Sequence, residues 1–541
     1  MEEGRLDSAT EPGLVAAGES APQPRSRWVC ARSLTVPLVL LLVLRLPSLY
    51  EPHWYTDEAG YANVAWQMAH GKVLFLTTWN NKPPLLFWLF QVGLGISGPS
   101  EFGIHLLSTA SEAAALGGTW ILARQYLSPR RVWVAMLLTA FFLATPVFNG
   151  DLALPEDLLI GVTPWAMVAA LAALRSNARS RALIWAGLAG VLFAAAILIQ
   201  QTALADLAAG GLVMLVASRR GVWLGVTTGV AAVLVTGVVL APFVAAAGLH
   251  NVIFFLVTSY TGYTTSALHP SFWSLLPRGL VGILLLVGAY SARRWPPERL
   301  LPWVWLPMLL LAYGLPNRDY LHFLLPAVPA AALLLARVGI PRWPQWLSWQ
   351  GLAGVPLLGS VALATLLWAV LVGSGLSGGS LFTLKLTGEY YPAFVGKLTG
   401  ALTASQYVSI YDQRAIAEHD AVVWIERNHL TGSTAVVWSP DSWAYLLAGL
   451  RPILPEPTIY ENSAILGNQT LLKRVEVDRP VVVILTSDAY TQYGPILPVL
   501  QKGYTEVEAS ADGELWIRSD VATRVLSSAE ANADHKKSSA G

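Results

Sequence analysis

Residues 222–247, VWLGVTTGVAAVLVTGVVLAPFVAAA, form an uncharged apolar run, and residues 349–371 form a second. A helix that crosses the hydrocarbon core of a bilayer needs about 20 apolar residues. The 541-residue chain is 54% hydrophobic and 13% charged, whereas a soluble protein carries roughly 25% charged residues. The sequence therefore predicts a polytopic α-helical membrane protein. Its net charge of +1 indicates no particular partner.

The amino-terminal segment is polar and mixed in charge, unlike a cleavable signal sequence. It is predicted to be a disordered cytoplasmic tail. Cys30 is the only cysteine, which excludes a disulfide framework or a cysteine metal site within one chain.

About eleven transmembrane spans are predicted, and they lie at 34–49, 102–122, 132–147, 158–174, 182–198, 203–217, 222–247, 274–292, 301–315, 320–336 and 349–371. Residues 84–98 are also apolar, but a span there would reverse every later loop. We therefore interpret 84–98 as a re-entrant or interfacial helix, although the sequence leaves open that it crosses the membrane. Its Trp88 suits the headgroup region.

Arginine and lysine positions set the predicted orientation, because cytoplasmic loops are enriched in these residues. If the N-terminus is cytoplasmic, sixteen arginines fall on that side: Arg25, Arg27, Arg32, Arg124, Arg130, Arg131, Arg175, Arg179, Arg181, Arg219, Arg220, Arg293, Arg294, Arg299, Arg337 and Arg342. The opposite loops hold only Lys72, Lys82, Arg278 and Arg318 up to the last span. The protein is thus predicted to lie in the plasma membrane with its first loop outside.

The composition changes after the last span. Short β-branched runs at 434–439 and 480–486 each precede a helix-like segment. Residues 506–510 and 514–518 are typical of a hairpin that turns at Asp512-Gly513. These patterns predict a small extracytoplasmic α/β domain on the same side as the first loop.

The predicted organisation has four parts: a tail at 1–33, a transmembrane domain at 34–372 that contains a catalytic first external loop at 50–101, an α/β domain at 375–526 and a disordered tail at 527–541.

The first loop carries two adjacent acids, Asp57 and Glu58, after Thr56, a candidate N-cap. One interpretation is that both acids complement a helix N-terminus. The other is chemistry at the membrane surface, because charge is costly at the edge of an apolar protein. Lys82 stands before two prolines, which hold its backbone away from a helix. Such a lysine suits a phosphate oxygen, but an interfacial lysine would look the same.

Two further polar stretches are predicted on the same face. Gly150 to Asp157 includes Glu156 and Asp157, which could also be helix caps. Arg318, Tyr320 and His322 lie at the mouth of the tenth span, where Arg318 could hold an anionic head group. Such a cleft suggests transfer from a lipid-linked phosphate. A carboxylate would take a proton from an acceptor, and cations or a divalent metal would stabilise the departing phosphate.

At these residues the chain resembles the C-type membrane glycosyltransferases, most closely the bacterial members of glycosyltransferase family 39. The motif Asp57-Glu58-Ala59-Gly60-Tyr61-Ala62 matches the family's first loop, and Lys82-Pro83-Pro84-Leu85 matches its lysine segment. Asp157 corresponds to a later external acid, and Arg318 to Pro326 resembles the family's late helix. The resemblance covers roughly 34–372 in order and spacing.

The resemblance implies that Asp57 is the catalytic base or an acid near a metal, and that Lys82 lies at the carrier phosphate. Asp157 or Glu156 would help to bind the acceptor or a metal. The full assignment is catalytic for Asp57, Glu58 and Asp157, substrate-binding for Lys82, Tyr61, Glu156, Arg318, Tyr320 and His322, and metal-binding for Asp57 and His269. No cofactor is certain, although a divalent metal cation is possible.

Two departures from the family pattern stand out. Relatives often carry a basic residue where Gln200-Gln201 stands, so part of the phosphate site could be lost or moved. His105 stands where relatives often have arginine.

The predicted function is transfer of a sugar from a polyprenyl-phosphate donor to a protein, lipid or glycan at the outer face, with inversion at the anomeric carbon. No nucleic acid partner is expected. The alternatives are a transporter or flippase of lipid-linked sugars, or an inactive relative that binds the carrier lipid. A transporter would favour an internal repeat and charges near the midplane; no repeat is evident, and most acids cluster at one surface. The sequence leaves open the sugar, the acceptor, metal dependence and the oligomeric state.

Overall fold

The computed structural model describes residues 27–259, 287, 295–314, 320–338, 378–486 and 494–527. The first helices are α1 Arg27–Arg45, α2 Thr56–Ala69, α3 Pro84–Ser97, α4 Glu101–Ala123, α5 Pro129–Ala144, α6 Pro155–Leu159, α7 Thr163–Arg175, α8 Arg179–Ile199, α9 Leu204–Ala217, α10 Gly221–Ala247 and α11 Leu249–Ile253. The later helices are α12 Pro297–Gly314, α13 Val328–Val338, α14 Gly378–Thr399, α15 Ala404–Tyr411, α16 Arg414–Arg427, α17 Trp443–Leu447, α18 Ile459–Leu466, α19 Asn468–Asp478 and α20 Leu497–Leu500. The strands are β1 Thr434–Trp438, β2 Arg451–Pro452, β3 Val482–Thr486, β4 Tyr504–Ala509 and β5 Gly513–Arg518.

Four helical segments in the described part of the chain are long and apolar enough to cross a membrane: Ala31–Tyr50, Pro155–Arg175, Arg179–Ile199 and Gly221–Ala247. The last of these has a mean hydropathy of 2.4, yet only 6% of its apolar window is buried inside the protein. A helix that is apolar on all sides is stable when lipid covers its outer face. The predicted membrane protein is therefore confirmed.

Nine of the eleven predicted spans coincide with helices, four of them (34–49, 132–147, 203–217 and 320–336) in part with 3-10 turns. The predicted spans at 274–292 and 349–371 lie outside the described residues, apart from residue 287. Helix α3 has 14 residues, which is about 21 Å at 1.5 Å per residue. It is shorter than the roughly 30 Å hydrocarbon core, as a re-entrant or interfacial helix would be.

Small residues let the helices of the membrane part approach one another. Ala182, Ala186 and Ala189 of α8 are buried in the main core. A Cβ on Gly190 would lie 2.3 Å from the backbone oxygen of Thr228 in α10, so only glycine fits there. Such contacts are typical of helix packing in lipid, where close backbone approach replaces hydrophobic burial.

The C-terminal part contains the predicted small α/β fold. Its five strands are ordered β2-β1-β3-β5-β4, with β1 parallel to β2 and β3, and β5 antiparallel to β3 and β4. One face packs Val437 and Ile484 beneath α16, and the other packs Val436 and Val483 against α19. The predicted hairpin is confirmed, and its turn closes where Ser510 N donates to the Gly513 carbonyl at 2.8 Å.

The α/β fold packs directly on the segment that follows α1. The rings of Trp54 and Tyr411 lie 5.5 Å apart between centroids, and those of His53 and Trp443 lie 5.0 Å apart. The buried amide of Asn63 in α2 donates to the Ser442 carbonyl at 2.8 Å. Aromatic residues of the membrane part and of the C-terminal part share one core, so the C-terminal fold covers α2.

Gly60 marks the tightest point of this contact. A Cβ there would lie 3.1 Å from Thr458 Cγ2, whereas a Cβ on Gly95 in α3 would meet nothing within 4 Å. We predict that Gly60→Val destabilises the protein by about 1–3 kcal/mol, because overpacking forces the neighbouring chain to shift. Gly95→Val is the matched control, since it places the same β-branched residue in a helix. Thermal unfolding of both variants in detergent measures the effect, and equal melting temperatures would contradict it.

Candidate functional site

Helix α2 separates the two acids of the first loop. The helix begins at Thr56, and Tyr55 occupies the N-cap position with an extended backbone and no capping side chain. The predicted N-cap role of Thr56 is therefore wrong. Asp57 and Glu58 are consecutive in the first turn, and consecutive residues point about 100° apart around a helix with 3.6 residues per turn. They accordingly meet different neighbours.

Glu58 is 1% exposed and faces the membrane helices. Its Oε1 lies 2.9 Å from His105 Nε2 and also accepts a hydrogen bond from the Ala153 backbone N–H. The other ring nitrogen of His105 lies 2.6 Å from the Ser48 carbonyl. Glu58 thus joins α2 to α4 and to the segment before α6. His105, at the position where arginine was expected, is its partner.

Next to Glu58 lies a buried network around Arg45, which is 1% exposed. Its guanidinium donates to Ser108 Oγ at 2.9 Å and to the Gly150 carbonyl, and it lies 3.6 Å from Glu112. A buried arginine is tolerated when such partners replace water. The network fixes the backbone of the second acidic stretch to α1 and α4.

Asp157 lies within electrostatic reach of Arg45 and Glu112. Its Oδ2 accepts a hydrogen bond from the Leu154 backbone N–H at 3.0 Å and so caps α6. This contact agrees with the interpretation that Asp157 caps a helix. A catalytic role for Asp157 stays a prediction.

Asp57 faces the lysine segment and the α/β fold instead. The Tyr460 hydroxyl donates to Asp57 Oδ1 at 3.3 Å. Burial raises the pKa of Asp57 above its ordinary value, while nearby His322 and Lys82 and the Tyr460 hydrogen bond act to lower it. The structure therefore places two predicted residues, Lys82 and His322, within electrostatic reach of Asp57.

The backbone next to Lys82 is non-helical, as the two prolines predict. Helix α3 begins at Pro84, and Pro83 before it is extended. The Lys82 backbone N–H donates to Asn80 Oδ1 at 3.1 Å, and the lysine is 8% exposed. Lys82 is thus held at the entrance of α3, with its side chain buried.

Two glutamines form hydrogen bonds near Lys82. Gln200 Nε2 donates to Glu156 Oε1 at 2.7 Å, and Gln201 Nε2 donates to the Asn81 carbonyl at 2.6 Å. Glu156 is within electrostatic reach of Lys82. Gln200 and Gln201 therefore hold an acid and the lysine segment, a role that the sequence comparison with the family did not suggest.

The remaining predicted residues lie as follows. Tyr61 is 6% exposed and packs on Phe90, with ring centroids 5.7 Å apart. Tyr320 is 39% exposed and stacks on His322 at 5.5 Å. Substrate binding by these side chains stays a prediction. Arg318 and His269 lie outside the described residues.

Within the described ranges, no group of three or more His, Cys, Asp or Glu side chains is arranged to hold a metal ion. The predicted metal pair of Asp57 and His269 stays a prediction, because His269 is outside these ranges.

The α/β fold contributes two residues that sequence reasoning missed. Tyr460 contacts Asp57 across 403 positions of sequence. Glu461 follows it, and burial together with the charge of Asp57 raises its pKa to about 7, against the effect of Lys82. No local motif distinguishes these two residues from others in the C-terminal part. Only the packing of that part on α2 shows them.

Residues 81–275 match the family model described as dolichyl-phosphate-mannose-protein mannosyltransferase. The chain is similar to the glycosyltransferases of this family. The resemblance inferred from Asp57 and Lys82 is confirmed, although the matched segment begins after Asp57. None of the curated proteins is significantly similar to the chain in sequence.

Two solved structures of one protein show the same fold. ArnT from Cupriavidus metallidurans bound to undecaprenyl phosphate is 18% identical, with 91% of this chain and 98% of that chain covered and a TM-score of 0.57. The apo state of that protein is 19% identical over the same shares, with a TM-score of 0.56. The oligosaccharyltransferase AglB from Archaeoglobus fulgidus, in complex with an inhibitory peptide and a dolichol-phosphate, is 12% identical over 90% of this chain and 74% of that chain, with a TM-score of 0.44.

The two acids of α2 should respond differently to substitution. We predict that Glu58→Ala lowers the free energy of unfolding by about 3–5 kcal/mol, because it leaves a buried partner without its hydrogen bond. Asp57→Asn should change it little, since the amide oxygen still accepts from Tyr460. Thermal unfolding in detergent distinguishes the two. A stability loss for Asp57→Asn as large as that for Glu58→Ala would refute the division of roles.

Proposed function

We propose that the protein transfers a sugar from a polyprenyl-phosphate carrier to an acceptor at the outer face of the membrane. The observation that carries this proposal is the placement of Asp57 beside Lys82 and His322, on a fold shared with ArnT. A carboxylate with a raised pKa within electrostatic reach of a buried lysine provides a base and a phosphate partner at one site.

The membrane arrangement is part of the proposal. About eleven spans in residues 34–372, with the N-terminus cytoplasmic, would place α2 and Lys82 outside. The α/β domain at 375–526 would then lie on the outer face and cover the pocket, while 1–33 and 527–541 would be tails. The arginine distribution supports this orientation.

A small cleft lies beside Glu156 between the membrane helices. It is lined by Glu156, Leu159, Thr202, Asp206, Leu309, Ala312, Phe323 and Pro326. Five of these side chains are apolar, and Asp206 accepts a hydrogen bond from Trp305 Nε1 at 2.6 Å. The apolar lining of this cleft suits an isoprenoid chain, and Glu156 is also within electrostatic reach of Lys82.

The reaction is a single displacement. A hydroxyl or amine of the acceptor attacks the anomeric carbon and forms the new bond as the bond to the phosphate oxygen breaks. Asp57 takes the proton of the acceptor, and the phosphate leaves with both bonding electrons as polyprenyl phosphate. Lys82 stabilises the charge that develops on the departing oxygen. The anomeric configuration is inverted.

Substitution of the two central residues tests this proposal. We expect Asp57→Asn to lower the transfer rate at least 100-fold, because general base catalysis contributes about 10²–10⁴-fold. Lys82→Ala should weaken donor use, whereas Lys72→Ala, an exposed lysine in the same loop, is the matched control. The assay is release of polyprenyl phosphate from a panel of radiolabelled donors by purified protein. Undiminished release by Asp57→Asn would refute the assignment, and a transporter or inactive relative would release none.

The raised pKa of Asp57 also predicts the pH dependence. The ionised carboxylate is the active form, so the rate should fall as the pH drops through this pKa. Because burial raises the pKa, the loss should occur at a higher pH than the ordinary value of about 4 for aspartate. A rate profile from pH 4 to 9 measures it, and a midpoint at or below 4 would contradict the proposed base.

A further inference from the structure

Helix α18 carries the α/β fold's contact with Asp57. Tyr460 and Glu461 lie in its first turn, and the Tyr460 hydroxyl reaches Asp57 Oδ1 at 3.3 Å. Burial and the charge of Asp57 place the pKa of the Tyr460 phenol well above 10. The phenol therefore keeps its proton at working pH and acts as a hydrogen-bond donor.

The segment before α18 is fixed in place by its own bonds. Asn462 Nδ2 donates to the Thr458 carbonyl at 2.9 Å and to the Glu456 carbonyl. Thr458 Oγ1 donates to Glu456 Oε1 at 3.2 Å. These bonds hold the backbone around Tyr460 in one conformation, so the position of its hydroxyl is set by the fold.

The same segment contacts both the chain before Lys82 and helix α2. The Pro455 carbonyl accepts from Trp79 N at 3.1 Å and from Thr78 Oγ1 at 3.2 Å, a few residues before Lys82. Thr458 packs on Gly60 of α2, one turn after Asp57. One stretch of the α/β fold thus fixes the base and the lysine segment relative to each other.

We propose that Tyr460 is a positioning residue for Asp57. Its hydrogen bond occupies Oδ1 and orients the carboxylate so that Oδ2 receives the proton of the acceptor. A donor to the ionised form also favours that form, so Tyr460 offsets part of the effect of burial. The inference deepens the proposed function and rests on Asp57 acting as its base.

The substitution that tests it is Tyr460→Phe, which removes the hydroxyl and keeps the ring. Without the donor the acidic limb of the rate profile should move upward by about half a pH unit. The maximal rate should fall roughly threefold to tenfold with little change in the KM for the donor. Tyr504→Phe is the matched control, because Tyr504 is a buried tyrosine of the same fold whose hydroxyl has no hydrogen-bond partner among the described residues.

The midpoint of the acidic limb does not depend on the amount of folded enzyme, so reduced folding cannot imitate the shift. An upward shift in Tyr460→Phe and none in Tyr504→Phe supports the inference. Superimposable profiles for the two variants would overturn it while leaving the proposed function intact. If the wild-type protein transferred no sugar from any polyprenyl-phosphate donor, the proposed function itself would fail.

Discussion

The rotation per residue in helix α2 gives the two acids at this site different neighbours and different roles. Asp57 and Glu58 are adjacent in α2, and a helix turns about 100° per residue, so they cannot face the same pocket. Glu58 bonds to His105 and to the Ala153 backbone within the membrane part. Asp57 instead meets Lys82 and the α/β fold. One acid therefore serves the architecture and the other is available for chemistry.

Burial explains why so many polar groups around these acids are paired. A charge removed from water is costly unless a partner replaces the solvent. Arg45 meets this requirement through Glu112 and backbone carbonyls. Glu156 meets it through Gln200. These pairs fix the segment that leads into α6 and the start of that helix, and fixed groups suit a reaction that depends on orientation.

Much of the fold could be predicted because its signals are local. Long apolar runs gave the membrane helices, and Asp512-Gly513 marked the hairpin turn. The proximity of Asp57 to Lys82 followed from their shared loop and from the family pattern. Asp157 was harder, because the same residue pattern serves a helix cap and a binding site; in the structure it caps α6. Thr56 was assigned as the N-cap because its residue type favours that position, but the helix already includes it.

The contribution of Tyr460 could not be predicted, since it depends on a contact that spans 403 positions. The sequence indicates an α/β fold after the last span but carries no signal for which turn meets α2. Packing determines which turn meets α2, because Asn63 donates a hydrogen bond to Ser442 and Gly60 leaves room for Thr458. The position of the α/β fold over α2 is therefore set by tertiary packing.

The central claim is that the carrier phosphate binds at Lys82 beside Asp57. The most direct measurement is an experimental structure of the purified protein with undecaprenyl phosphate. We expect phosphate density in contact with the Lys82 ammonium, beneath α18 and next to the Asp57 carboxylate. Phosphate density at the Arg45 network, with the Lys82 pocket empty, would contradict it.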